Sequence, residues 1–277
     1  MKPPIDTIEL FPVLNEKLVS FLKKLSHEEW MKQTVAKKWV IKDVASHLLD
    51  GNFRRISLHR DNWKEVVASP IYSYDDLVNY LNTINADWVK AAKRLSPELI
   101  IELLEQTNNE VYQLFKNLDP FAESVFPVGW AGEEKSSNWF DIAREYTERW
   151  LHQQQIRDAI GDKGIMTKEL YHPFLNIFMQ AWPYTCRGIK ANNGTILKTI
   201  VTGEGGGEWY LKMENEKWKI ENGSNVNNIV SETIIDGNVA WKLFSKSVRK
   251  EDIKGSFKIK GDQQLGEKVL DMVSVMA

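Results

Sequence analysis

Through the first 160 residues the apolar positions recur three and four apart instead of alternating, which is the spacing of helices with one buried face. Leu14, Leu18, Phe21, Leu22 and Leu25 mark a first helix begun near Pro12, and it ends before Ser26-His27-Glu28-Glu29, a sequence with the form of a capping box. Val40, Ile41, Val44, Ala45, Leu48 and Leu49 mark a second, running to about Asp61. Ser73-Tyr74-Asp75-Asp76 caps a third that reaches about Leu95, and Ser96-Pro97, with proline at the first helical position, opens a fourth to about Leu118. A connector over 119–137, rich in turn formers, precedes a last helix over 138–160 that stops at Gly161. Helices of about 20 residues joined up and down predict a four-helix bundle.

Beyond Gly164 the backbone rules change. Of 16 glycines only Gly51, Gly129 and Gly132 precede residue 161. One further helix, 168–184, leads into β-like stretches at 195–202, 208–213 and 217–221, punctuated by Gly203, Gly205, Gly206, Gly207 and Asn222-Gly223 as hairpin turns. A short helix at 238–245, a strand at 256–259 and a terminal helix at 263–276 complete a small α+β domain. The expected organisation is therefore a mainly α N-terminal domain, 1–164, and an α+β C-terminal domain, 165–277.

Composition narrows the chemistry. The 277 residues hold 36 Lys+Arg against 38 Asp+Glu, a net charge of −2, which suggests neither a nucleic-acid footprint nor a polybasic membrane surface. A single cysteine, Cys186, excludes an intramolecular disulfide framework and any cysteine-cluster metal site. The N-terminus lacks the apolar stretch of a signal peptide and no run of about 18 apolar residues occurs, so a cytoplasmic location without membrane insertion is expected. Oligomeric state is not legible.

Four of the five histidines lie in the helical part. Glu148 and His152, four apart, share a face of the last bundle helix that continues to Ile156 and Ala159 and so points inward. A carboxylate entering a bundle interior needs a partner, and a divalent metal is one such partner. On the second helix His47 shares a face with Val40, Val44 and Gly51, an apolar row in which imidazole is the odd member. Two histidines and a glutamate suit zinc and leave a fourth position open; iron, nickel and manganese take the same donors. The bland readings are an exposed Glu–His helix pair and a histidine packed in the core.

Leu25-Ser26-His27-Glu28-Glu29-Trp30, Thr34, and Trp39-Val40-Ile41-Lys42-Asp43-Val44-Ala45-Ser46-His47-Leu48-Leu49-Asp50 resemble the N-terminal metal-binding domain of mycothiol-dependent maleylpyruvate isomerases, a family of DinB-like bundles. Glu148-x-x-x-His152 followed by Ile156-Arg157-Asp158-Ala159-Ile160-Gly161 resembles the family's second signature. The resemblance implies that His47, Glu148 and His152 are metal ligands. Asp236-Gly237-Asn238 and Gly261-Asp262-Gln263-Gln264-Leu265 resemble, more weakly, the sterol-carrier-like C-terminal domain of those proteins. It also implies a low-molecular-weight thiol as cosubstrate, added to a small electrophile in an isomerase or S-transferase reaction.

In that family an arginine of the C-terminal domain holds an anionic substrate, and Arg249 lies near the corresponding place. Arg54, seven residues after His47, shares its face and offers a cation to an anionic ligand or an ordinary salt bridge. Trp130 is a candidate for lining the bundle mouth and touching the cosubstrate. Cys186 reads as a small core or surface thiol, and Gly203-Glu204-Gly205-Gly206-Gly207 as a hairpin loop without the Lys-Ser/Thr of a phosphate loop. The rival to catalysis is a metal-containing protein that binds an apolar ligand through Leu265, Val269, Leu270, Met272, Val273 and Met276.

Overall fold

The computed structural model describes residues 2–64, 71–221, 223 and 228–275. The chain forms two compact units: 1–122 with 148–165, and 123–147 with 166–276. The second unit thus includes the 123–137 connector and the first ten residues of the helix that follows it.

The first unit is the helical bundle. Its elements are α1 (Leu10–Leu22), the short α2 (His27–Trp30), α3 (Ile41–His59), α4 (Tyr74–Ala92), α5 (Pro97–Lys116) and the later turns of α6 (Asn138–Ile160). Helix starts follow the caps read in the sequence. The Ser26 and Ser73 hydroxyls each accept from the backbone N–H three residues on, and Glu29 and Asp76 return the bond to the cap N–H. Ser96 caps α5 ahead of Pro97. Leu18, Leu22, Trp30, Ile41, Val44, Ala45, Leu48, Leu49, Ile100, Leu104 and Ile156 form the shared apolar core.

Polar groups are also buried there. Arg149 of α6 donates to Asn108 Oδ1 (3.0 Å), to Asn15 Oδ1 (3.3 Å) and to Asn52 Oδ1, while Asn52 Nδ2 donates to Thr107 (2.8 Å) and Asn108 (2.9 Å). These bonds tie α1, α3, α5 and α6 to one another at fixed angles.

The second unit is α+β. A five-stranded sheet of β1 (Ile196–Val201), β2 (Gly207–Glu214), β3 (Lys217–Glu221), β4 (Ile229–Ile235) and β5 (Phe257–Gly261) has the order β3-β2-β1-β4-β5. Only the β1–β4 pair is parallel. Register puts Leu197 beside Leu211 and Ser231, and Thr199 beside Trp209 and Thr233, all on the buried face. The opposite face carries an ion-pair ladder, with Lys198 at 3.0 Å from Glu208 and Lys260 at 2.7 Å from Glu232. One packed and one wet face is the usual arrangement of a largely antiparallel sheet. Helices α7 (Tyr171–Phe178), α8 (Trp182–Thr185), α9 (Gly237–Phe244) and α10 (Gln263–Glu267) complete the unit.

Three expectations change. The helix expected over 168–184 is α7, a 3₁₀ turn (Met179–Ala181) and α8, because Pro183 has no N–H to continue the ladder. The terminal helix expected over 263–276 ends at Glu267, passes through a 3₁₀ turn (Lys268–Asp271) and becomes extended at Met272. Ser274 takes the chain away from helix: its N–H donates to Phe244 O (3.0 Å) and its hydroxyl to Phe178 O (2.9 Å). Val269, Leu270 and Met272 are accordingly buried in the core of this unit. Strand β4 was not expected. The turn residue Asn222 and the apolar Met276 lie outside the described residues. No helix among the described residues is long and apolar enough to cross a membrane.

Candidate metal centre

Three side chains meet in the bundle. Among the described residues His47, Glu148 and His152 form a group of potential metal ligands, each offering one donor atom, with those atoms all within 4.8 Å of one another. Helix α6 supplies two from consecutive turns: His152 Nε2 lies 3.4 Å from Glu148 Oε2. Helix α3 supplies His47 from its second turn, the His47 and His152 rings meeting edge to face with centroids 4.6 Å apart.

The start of α3 is held in place locally. Asp43 accepts from the Val40 N–H (3.2 Å), and Trp88 Nε1 donates to Ser46 O (2.7 Å) from α4. On the other side, the Trp39 ring packs 4.9 Å from His47 and 6.4 Å from His152. The Trp39 carbonyl is pinned by Thr34 Oγ1 and Gln33 Nε2, both at 2.8 Å. Trp39 therefore forms a rigid aromatic wall for both imidazoles.

His152 is oriented by Gln155, whose Oε1 lies 2.9 Å from Nδ1. An amide oxygen only accepts, so Nδ1 carries a hydrogen toward Gln155, and Nε2 is the ring nitrogen that faces Glu148. An imidazole nitrogen and a carboxylate oxygen 3.4 Å apart are near enough for one cation to bind both. The separation is also close to the ~3.3 Å that tetrahedral angles and metal–donor bonds of about 2.0–2.1 Å impose. The donor set thus fits a divalent ion. The sequence singles out all three candidate ligands but not Gln155 or the wall formed by Trp39. Glutamine three residues after a histidine on one helix is the signal for the first; nothing in the sequence singles out the second.

The remaining candidates are dispersed. Arg54 stands two turns along α3 from His47, its side chain 43% exposed and 3.6 Å from Asp50. Arg249 belongs to the C-terminal unit, where Asp252 accepts two bonds of 3.0 Å from its guanidinium. Asp252 pushes its pKa further up, first through these hydrogen bonds and then through its charge. It borders a cleft of about 430 Å³ that Lys246, Lys250, Leu270 and Met272 also line. Trp130 is buried in the C-terminal unit, edge-on to Phe140 (5.9 Å) and Phe178 (6.1 Å). Cys186 is buried as well, and desolvation pushes its thiol up to about 12, which removes it as a nucleophile. The Gly203–Gly207 segment joins β1 to β2 as a hairpin loop; a Cβ at Gly206 would stand 2.0 Å from Val201 O.

Comparison with known proteins adds lineage to this geometry. Residues 12–157 match the family described as the mycothiol maleylpyruvate isomerase N-terminal domain. Among solved structures, that of the mycothiol-dependent maleylpyruvate isomerase has a TM-score of 0.53 at 10% identity, covering 87% of this chain and 88% of that one. A histidine-to-alanine mutant of the same enzyme gives 0.50 at 9% identity over the same shares. A sterol carrier protein-2 like-3 from Aedes aegypti is also similar, at 16% identity over 35% of this chain and 90% of that one, with a TM-score of 0.25. No curated protein sequence matches the chain.

Proposed function

Because the chain belongs to the mycothiol maleylpyruvate isomerase family by the match over residues 12–157, we propose that it is a divalent-metal- and thiol-dependent isomerase or S-transferase acting on a small electrophile. The observation that carries the reading is the convergence of His47, Glu148 and His152 from two helices, with His152 Nε2 turned toward the carboxylate by Gln155. These three residues would hold the ion, zinc first, with nickel, iron or manganese as alternatives the donor set accepts. A bound ion with an open position supplies Lewis acidity, which lowers the pKa of a thiol and so gives a thiolate nucleophile at neutral pH.

The chain's own residues do the rest. Gln155 holds the His152 proton on Nδ1 and keeps Nε2 free to donate electrons. Trp39 fixes both rings and shields one side of them from water. Thr34 and Gln33 keep Trp39 in place. The cosubstrate is a small thiol and the partner a small electrophile; whether the adduct is released or isomerised depends on the electrophile. Arg249 and Arg54 are the cations proposed to meet anionic groups, Arg249 against competition from Asp252.

The test is metal content with a thiol titration. Purified protein reconstituted with cobalt is expected to hold one ion and to develop a sulfur-to-metal charge-transfer band on adding a thiol. His47→Ala and His152→Ala should each lose most of the bound metal. A parent protein that binds no divalent ion, or binds it without response to any thiol, overturns the reading.

A further inference from the structure

We infer that the face of α3 running from His47 through Gly51 to Arg54 is a ligand-binding ledge, on which Arg54 holds a carboxylate of the thiol or of the electrophile. The inference rests on the thiol-dependent reading above and adds the charge class of its ligand.

Helical geometry puts the three residues in line. At 100° per residue Gly51 lies about 40° and Arg54 about 20° from the direction of His47, and Arg54 is about 10 Å further along the axis. A ligand with one end at His47 and a carboxylate at Arg54 therefore spans a similar distance. That length excludes the smallest thiols as full occupants and suits a peptide-like thiol, or an adduct of thiol and electrophile.

Gly51 is the telling residue. Glycine inside a helix is unfavourable relative to alanine, and it is usually retained for a left-handed backbone or for close packing. Neither reason holds at Gly51. It is absent from the positive-φ glycines, and among the described residues no heavy atom lies within 4 Å of where its Cβ would stand. By contrast, a Cβ at Gly266 would meet Ile259 and Ser231 at 2.5 Å. Open space on the His47 face, kept by a residue that weakens the helix, is what a ligand seat requires.

Arg54 closes that seat with the right chemistry. Its side chain is 43% exposed, so the guanidinium is reachable, and Asp50 at 3.6 Å, one turn back, orients it without a close bidentate pairing. The planar fork is matched to a carboxylate.

The experiment uses the full-length protein, with metal content measured on every variant. Calorimetry with glutathione, which carries two carboxylates, and with 2-mercaptoethanol, which carries none, addresses the thiol. KM for maleylpyruvate and for neutral N-ethylmaleimide addresses the electrophile. If the carboxylate belongs to the thiol, Arg54→Ala weakens glutathione about 10- to 100-fold and leaves 2-mercaptoethanol unchanged. If it belongs to the electrophile, the same loss falls on the maleylpyruvate KM alone. Arg54→Lys should recover part of either loss, and Gly51→Leu should weaken the same ligand as Arg54→Ala. Gly51→Ala provides a milder filling of the seat if the leucine variant does not fold. Constants for all four probes within about twofold of the parent, in variants that keep their metal, overturn the ledge while leaving the metal reading intact. A parent protein that takes up no metal sinks the underlying reading instead.

Discussion

From Glu148 onward, helix α6 buries Arg149, His152, Gln153, Gln154, Gln155 and Arg157 in the bundle, whereas the C-terminal unit closes on Phe174, Phe178, Trp182, Trp241 and Phe244. The two interiors do different physical work. Burying a large apolar side chain stabilises by about 1.5–3 kcal/mol wherever it finds a packed site, and it tolerates many neighbours. Burying a polar one is favourable only when each donor and acceptor meets a partner at a set distance and angle. The apolar core therefore supplies cohesion, and the polar interior supplies position. Position is what His47 and His152 need, since their donor atoms must come together from separate helices.

The largest test of that contrast sets Arg149→Ala against Phe178→Ala. Removing the guanidinium strands the side-chain oxygens of Asn15 and Asn52 and leaves Asn108 Oδ1 with the Asn52 Nδ2 bond alone. The expected cost is about 3–5 kcal/mol, from two buried acceptors left unsatisfied and the space left behind, together with a fall in bound metal as α3 and α6 lose their common anchor. Phe178→Ala should cost about the same through its cavity, yet leave the metal content of the folded protein unchanged. Denaturation midpoints read beside elemental analysis decide it. Equal metal loss in both variants would mean that the polar interior has no special positioning role.

A smaller effect isolates the orienting bond. Gln155→Ala leaves His152 Nδ1 without its 2.9 Å partner and is expected to weaken metal binding about 10- to 100-fold. Global stability should change little, because the truncation opens no apolar cavity. Gln155→Glu retains an acceptor and should retain affinity. Competition against a chelator of known strength measures both. If Gln155→Ala binds as the parent does, the tautomer of His152 is set by something other than this amide.

The same contrast explains what the sequence disclosed. The bundle helices are legible because period and caps agree: one apolar stripe stops before Ser26, Ser73 and Ser96 each precede another, and the last helix spans 138–160 as its sequence predicts. The candidate metal triad is legible because Glu148 and His152 are spaced by one turn and because the stretch around His47 resembles a known family. Strand β4 was missed because its buried face includes Ser231 and Thr233, hydroxyls that pattern reading assigns to solvent. They are satisfied inside, Ser231 donating to Asp262 O and Thr233 to Gly266 O. The terminal helix was over-extended for the complementary reason. Leu265, Val269, Met272 and Met276 have helical spacing, but the Ser274 bonds to Phe244 and Phe178 come from residues far away in sequence. Local pattern fails where a tertiary partner decides the backbone.

At Gly51 the comparison turns on a single methyl group. A Cβ there meets no described heavy atom within 4 Å, and the backbone is ordinary helix, so Gly51→Ala should raise stability by about 0.5–1 kcal/mol. If the position faces a ligand, that gain comes with weaker thiol or electrophile binding. A thermal melt and a binding isotherm on the same preparation test the pair. A variant that is more stable and binds as before would show Gly51 to be plain surface.

The smallest expected effect lies in the C-terminal unit, whose apolar core leaves little to titrate. His172, half-buried in this unit, is a group that titrates on the acid side. Its Nδ1 lies 3.0 Å from Gly206 O, the Lys168 ammonium is 3.1 Å away, and its ring stacks on Trp209. Desolvation holds its pKa below the ordinary value, the Lys168 charge adding in the same direction and the Gly206 carbonyl opposing. The unfolded chain then takes up the proton first as pH falls. His172 contributes stability that is fully present above its unfolded pKa of about 6.5 and is lost as pH falls through the depressed native value. Melting of the parent beside His172→Gln over pH 7.5 to 4.5 should show a modest acid-side loss in the parent that the variant lacks. Hydrogen exchange should place that loss in the β1–β2 loop, which the histidine and Lys168 jointly hold through Gly206 O. An identical pH profile in the two proteins would mean that the carbonyl bond offsets the desolvation, and that this core is insensitive to pH as well as apolar.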